Sequence, residues 1–246
     1  MIDPPLSIIQ RAVLRRVLDL HLPRGARVLD APCGEGALAV ALNREGLSAF
    51  GADIDTSPAA TLGAAFRAVD LSAPLPWPDD FFDVVVSVEG IEHLENRQAY
   101  LRELRRVLRP DGTLILTTPN ISSVRSRVRF AGSAFFHHDP RPLREAVPNP
   151  LHHIGLMTFA DLRYALHTSG FRIVQVAHTH IKPIGWLYVL LVPWMWVYTR
   201  IAFRKERDAA QQRANRQIQR ALFSPSVLFG ENLLIVARRA GEVRPV

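Results

Sequence analysis

The sequence predicts an α/β fold, an open and largely parallel sheet covered by helices on both faces. Two observations carry this. Residues Val28-Leu29-Asp30-Ala31-Pro32-Cys33-Gly34-Glu35-Gly36 run from an apolar strand through a glycine turn, and Ala37 to Arg44 continues as a helix. Apolar strand-like runs then alternate with amphipathic helical runs along the chain, the pattern of a parallel sheet with crossover helices. At 246 residues, nearly half of them apolar, the chain is long enough to bury a full core as one unit.

Leu6 to Leu20 reads as a helix ahead of the sheet, with Ile9, Val13, Val17 and Leu20 at helical spacing. It packs on the sheet or closes over a ligand. In the glycine turn, Gly34 and Gly36 remove side chains where the backbone must bend and a ligand must come close, and Asp30 orients the loop from the strand end. Leu47 to Ala52 is a second strand that ends in Asp53. That is the distance at which an acidic residue meets a ribose diol. Asp55, with Thr56 and Ser57, is expected to cap the next helix. Strands follow at Val84 to Val88 and Leu114 to Thr118, separated by a helix. Pro119 to Met157, rich in Arg, His and Pro, reads as irregular. Thr158, with Asp161 three residues on, opens a helix that ends at Gly170. Phe171 to Val176 and Asn232 to Arg239 are the last two strands.

The glycine turn alone also satisfies a dinucleotide fingerprint. The succession after it decides: Phe66-Arg67-Ala68-Val69-Asp70, Pro76-Trp77-Pro78-Asp79-Asp80-Phe81-Phe82-Asp83, the strand Val84 to Val88, Glu89-Gly90-Ile91-Glu92-His93-Leu94, and Val107-Leu108-Arg109-Pro110-Asp111-Gly112-Thr113-Leu114-Ile115-Leu116. In this order the chain resembles class I S-adenosylmethionine-dependent methyltransferases of the type 11/23 group, strongly over residues 24 to 120. The resemblance implies a Rossmann-like seven-stranded sheet whose last strand is antiparallel. It also implies S-adenosyl-L-methionine as cofactor: Gly34 and Gly36 against its methionine part, with Asp30 behind them, Asp53 on the ribose hydroxyls and Asp70 facing the adenine amino group. The chemistry is consistent, since a carboxylate accepts two hydrogen bonds from a vicinal diol and one from an exocyclic amine.

Glu89, Glu92 and His93 follow the fourth strand, where this fold presents the methyl donor to its acceptor. On a helical turn i and i+3 share a face, so two carboxylates and an imidazole converge on one divalent cation. The E-x-x-E-H pattern resembles the ubiquinone-biosynthesis O-methyltransferases and the small-RNA 3′-terminal 2′-O-methyltransferases. There a metal of the Mg²⁺ type holds the acceptor hydroxyl. His152 or His153 supplies a further ligand from the 119–157 stretch, with His153 preferred; His137 and His138, beside Asp139, are weaker candidates. The alternative needs no metal: His93 is the general base, Glu92 a cap or helix residue, and Glu89 part of the cofactor site.

Charge divides the chain. Residues 1 to 120 hold 12 arginines and 16 acidic residues, net −4, whereas residues 121 to 246 hold 18 basic and 7 acidic residues, net +11. A basic half suits an anionic membrane surface or nucleic acid. The sole cysteine, Cys33, excludes an intramolecular disulfide and suits a reducing compartment. Met1-Ile2-Asp3-Pro4-Pro5 has no secretory pattern, so a cytoplasmic location is expected.

One methyltransferase domain over residues 1–246 is therefore expected, with an acceptor-side insertion at 121–157 and a hydrophobic and basic insertion at 181–230. Pro183 to Thr199 carries no charge and holds Trp186, Tyr188, Trp194, Trp196 and Tyr198 between Lys182 and the Arg200, Arg204, Lys205 group. It is shorter than the ~20 apolar residues of a spanning helix and holds Pro193. A monotopic attachment on the inner face of the membrane is expected, with the Arg-rich helix Glu206 to Leu222 against anionic lipid. The combined expectation is O-methylation of a lipidic or lipid-linked hydroxyl, on a quinone precursor or a carrier-linked glycan. An RNA 2′-O-methyltransferase and a non-catalytic cofactor-binding scaffold are the alternatives; the first leaves the tryptophan-rich run without a purpose.

Overall fold

A computed structural model describes residues 5–138, 141–146 and 149–241. Seven strands form one sheet in the order β3-β2-β1-β4-β5-β7-β6. They are β1 (Arg27–Asp30), β2 (Ser48–Asp53), β3 (Phe66–Ala68), β4 (Phe82–Val88), β5 (Leu108–Pro119), β6 (Phe171–His178) and β7 (Asn232–Arg239). The first five pair in parallel, and β7 is antiparallel to both β5 and β6. Interior strands such as β4, Phe-Asp-Val-Val-Val-Ser-Val, are buried on both faces, which is why they read as continuous apolar runs.

Helices cover both faces. On one, α1 (Ile8–Leu18) and α2 (Ala37–Arg44) pack Val13, Val17, Leu38 and Leu42 against Val28, Val84 and Val86. On the other, α4 (Arg97–Val107) and α6 (Phe159–Thr168) pack Tyr100, Leu101, Leu104, Phe159 and Leu162 against Leu29, Val85 and Leu114. The amphipathic stripes of α1, α4 and α6 lie on their sheet faces. Ser7 closes a capping box on α1, and Thr158 with Asp161 closes the expected one on α6.

Two local expectations fail. Asp55 does not cap α3 (Ala59–Leu62); its carboxylate accepts from Ser57 N at 2.9 Å, and the helix begins at Pro58 without a side-chain cap. A serine two residues on offers a tighter turn than the helix offers a cap. The 119–157 stretch is not wholly irregular either: Ser123 caps α5 (Val124–Ser133), whose alternating Arg residues hide a helical stripe of Val124 and Val128.

Between β6 and β7 the chain forms a 3₁₀ segment (Pro183–Leu191), α7 (Val192–Phe203), α8 (Ala209–Leu222) and α9 (Pro225–Phe229). It leaves and re-enters at the same place, because His178 pairs with Leu233.

Candidate functional site

β1 has β2 on one side and β4 on the other, so the order in which successive strands are added reverses at β1. In open α/β sheets this reversal opens a crevice beyond the carboxyl ends of the strands. A cleft of about 860 Å³ lies there, within the usual range for small-molecule sites, lined by Asp30, Gly34, Asp53, Asp70, Glu89 and His93 among others. Gly36, Glu92 and His153 do not line it.

The glycine turn takes its shape from two left-handed residues, Gly34 at φ +52° and Gly36 at φ +80°, which favour glycine. Gly36 heads α2 and touches no ligand space; a Cβ there would meet Leu62 at 3.3 Å. Asp53, rather than Asp30, holds the turn: its Oδ2 accepts from Gly34 N at 2.8 Å and its Oδ1 from Asp55 N at 3.0 Å. Asp70 accepts from Ser72 N at 2.8 Å. Asp30 makes no hydrogen bond to the loop. Both its oxygens are buried without a partner among the described residues, and burial, then the Asp53 charge, pushes its carboxyl well above the carboxylate range. Burial likewise pushes the Cys33 thiol up, which makes it inert as a nucleophile.

The loop after β4 packs against the loop after β1. Gly90 permits this, since a Cβ there would fall 2.3 Å from Pro32 Cδ. Tyr100, fully buried, donates to Ala31 O at 2.6 Å and lies 3.1 Å from Ser87 Oγ, tying α4 to the loop after β1 and to the end of β4. The helical-face argument for Glu89 and Glu92 does not hold. Glu89 sits at φ +49°, between the end of β4 and a 3₁₀ turn at Ile91–His93, so the two are not on one helix. Glu89 Oε2 accepts from Asn232 Nδ2 at 2.7 Å, and Glu92 Oε2 accepts from Thr118 Oγ1 at 3.0 Å. The second oxygen of each is buried without a partner among the described residues. Burial raises both carboxyls, and the charge of Glu89 adds to the shift at Glu92.

Donor atoms of Glu92, His93 and His153 all lie within 4.8 Å of one another, close enough to share a cation; Glu89 is not in the group. The rings of His93 and His153 are 5.0 Å apart. His93 Nδ1 is 3.2 Å from His152 O, and a carbonyl only accepts, so Nδ1 carries the hydrogen and Nε2 keeps a lone pair for a proton or a metal. Gly155 N donates to Glu92 O at 2.8 Å, so the 149–155 loop is pinned to this turn. His137 and His138 belong elsewhere: His137 Nε2 is 3.5 Å from the Glu231 carboxylate, and His138 Nε2 donates to Glu231 O. Asp139, their expected neighbour, lies outside the described residues.

Sequence reasoning missed Gln10, Ile54, Leu151 and Ile154, which line the cleft, and Asn232, which holds Glu89. Leu151 and Ile154 had a signal, two aliphatics beside the paired histidines. Asn232 had none, because its partner is 143 residues away.

The family profile described as a methyltransferase domain matches residues 6–176. A "Probable S-adenosylmethionine-dependent methyltransferase" of Mycolicibacterium smegmatis is 34% identical over 157 residues, covering 62% of this chain and 54% of that protein. The match thus spans about half the relative's length. The ubiquinone biosynthesis O-methyltransferase of Aeromonas salmonicida is 26% identical over 171 residues, covering 65% and 69%. Among solved structures, a SAM-dependent methyltransferase from Archaeoglobus fulgidus superposes with a TM-score of 0.54 at 18% identity, covering 93% of this chain and 94% of that one. The succession of motifs, the strand order and the family match agree: the chain belongs to the class I S-adenosylmethionine-dependent methyltransferases.

Proposed function

We propose that the protein transfers a methyl group from S-adenosylmethionine to a hydroxyl of a lipidic or lipid-linked acceptor, at the cytoplasmic face of a membrane. The observation that carries the reading is a single cleft with a cofactor-type wall on one side and an imidazole on the other. Asp30 offers a buried, unpartnered carboxylate suited to the ammonium of the methionine portion. Asp53 keeps lone pairs free for a ribose diol, and Asp70 lies farther along the same wall for the adenine amine. The sulfonium supplies an activated methyl group. Positioning and proton removal are left to the protein.

His93 Nε2 takes the hydroxyl proton as the acceptor oxygen accepts the methyl group. Leu151 and Ile154 give the cleft mouth exposed apolar walls, which suit a lipidic acceptor. The Aeromonas relative, by its name an O-methyltransferase, supports oxygen as the acceptor atom.

Glu92, His93 and His153 fit a divalent ion with nitrogen and oxygen ligands. Two imidazoles and one carboxylate suit a first-row transition ion such as Mn²⁺ or Zn²⁺ better than Mg²⁺, which takes oxygen donors. With an ion held there, His93 Nε2 would serve as a ligand instead of the base, and the ion would supply the proton loss by lowering the pKa of the acceptor hydroxyl.

The test incubates the purified protein with radiolabelled S-adenosylmethionine and a membrane lipid extract, with and without chelator. Label is expected in one organic-phase product, lost on chelation and restored by Mn²⁺ or Zn²⁺. Unchanged labelling under chelator removes the metal and leaves His93 as sole base. Cofactor binding with label only in RNA or soluble acceptors overturns the lipid assignment.

A further inference from the structure

The molecule carries one large apolar surface that its cofactor cleft does not use. Pro183–Phe203, 21 residues long, is long and apolar enough to cross a membrane, yet none of its most apolar stretch is buried. Its most exposed side chains fall on one line. Leu187 (75% exposed), Leu190 (85%), Trp194 (66%), Tyr198 (66%) and Ile201 (56%) are spaced by three, four, four and three residues. A spacing of three keeps one face in the 3₁₀ part, and spacings of three and four keep it in α7.

The opposite line faces the protein. Tyr188, Val192 and Met195 pack with Val124 of α5 and with Leu228 and Phe229 of α9. The Trp186 ring stacks on Phe229 with centroids 4.8 Å apart. A segment fastened along its inner side to the body of the protein cannot be surrounded by lipid. The strand register agrees, since β6 and β7 bracket the insertion side by side in one sheet, so a single crossing would separate paired strands.

Charge selects the occupant. No acidic residue lies between Lys182 and Lys205, and α8, which packs against α7, exposes Arg213, Arg216 and Arg220 at helical spacing. The Arg200 guanidinium lies over the Trp196 ring at 5.4 Å. Aromatic rings beside arginines match the boundary between acyl chains and anionic headgroups; an apolar protein partner would leave the arginine row unanswered.

We infer that Pro183–Phe203 is a monotopic docking surface that lies parallel to an anionic bilayer, its Leu187-to-Ile201 line in the acyl boundary and the α8 arginines on the headgroups. This rests on the membrane part of the proposed function and owes nothing to the acceptor or the metal.

The test uses the full chain with phosphatidylcholine vesicles, with and without phosphatidylglycerol, read by sedimentation and by quenching of tryptophan fluorescence with lipids brominated at different depths. Trp77, buried in the sheet core, is the internal control. Binding is expected only with phosphatidylglycerol, weakened by salt, with strongest quenching from shallow bromines. L187D/L190D is expected to weaken binding about tenfold or more while retaining S-adenosylmethionine binding, which confirms its folding. R213Q/R216Q/R220Q is expected to weaken binding and flatten its salt dependence.

Four results overturn the inference: equal binding to neutral vesicles, strongest quenching from mid-bilayer bromines, unaltered binding by L187D/L190D, or no vesicle binding with a dimer that L187D/L190D dissolves. Lipid labelling without docking removes this surface and leaves the proposed function. Docking without lipid labelling does the reverse.

Discussion

The cofactor end of the sheet and the insertion between β6 and β7 use similar residues in opposite ways. Around β1 and β4 the aliphatic side chains are buried and the unpartnered groups are carboxylates: both oxygens of Asp30 and one oxygen each of Glu89 and Glu92 find no donor among the described residues, and Asp30 and Glu89 line the cleft. In the insertion the aliphatic and aromatic side chains are the unpartnered groups, and cations surround them. Buried polar atoms without partners cost free energy, as does a large apolar face in water. Each region is therefore incomplete in a way that names its complement, a polar and partly cationic ligand in one and an anionic apolar interface in the other.

The sharpest way to break this contrast is at His93. H93A is expected to lower the initial rate of methyl transfer about 10²–10⁴-fold while S-adenosylmethionine affinity, read by calorimetry, stays near wild type. A comparable loss of affinity would place His93 in the cofactor wall and remove the functional division of the cleft.

Asp30 tests whether the carboxylate end is truly unsatisfied. Its folded-state pKa is raised above the ordinary 3.8 by burial and by Asp53. Stability from this group is therefore fully present below about pH 4 and is lost as pH rises toward the raised value, because the folded chain holds the proton that the unfolded chain releases. The ligand-free protein is expected to melt at lower temperature as pH rises through this window, and D30N is expected to lessen that decline, leaving the part due to Glu89 and Glu92, and to weaken S-adenosylmethionine binding. A parallel decline in both proteins would mean that Asp30 finds a partner in solution.

Legibility followed sequence distance. The glycine turn, the strand-end acids and the amphipathic helices were readable because each depends on neighbours a few residues away. So was the order of segments from Asp70 to Leu116, which carries the family. The Glu92, His93 and His153 group was half readable: Glu92 and His93 are adjacent, but only the Gly155 N to Glu92 O bond brings the later loop to them. Glu89 lines the cleft but was misplaced in the metal group, because a left-handed residue breaks the helical register that its spacing suggests. Helix α5 went unread because its arginines obscure the buried Val124 and the half-buried Val128.

Within the core, L29A is expected to cost about 2–5 kcal/mol, since Leu29 is fully buried in β1 between both helical layers. For a chain of this length that lowers the melting temperature by roughly 2–4 °C per kcal/mol. G90A is expected to cost about 1–3 kcal/mol, as its methyl group would force apart the two loops that meet at Pro32. Thermal denaturation checks both. A G90A protein with unchanged melting but lost cofactor affinity would show that the loops separate locally, leaving the core intact.

The smallest expected effect is the most telling. L190A makes the same chemical change as L29A, yet Leu190 is 85% exposed, so little apolar area returns to water on unfolding. Its stability in buffer is expected to change by no more than about 0.5 kcal/mol. If Leu190 is held ready for lipid, the same variant should lose part of its partition onto phosphatidylglycerol vesicles. If it packs against another protein chain, the loss should instead appear in a concentration-dependent melting temperature, since association stabilises by mass action. A residue that is silent in buffer and costly at a bilayer marks a surface maintained for binding, and the difference between L29A and L190A measures how completely the two regions divide folding from docking.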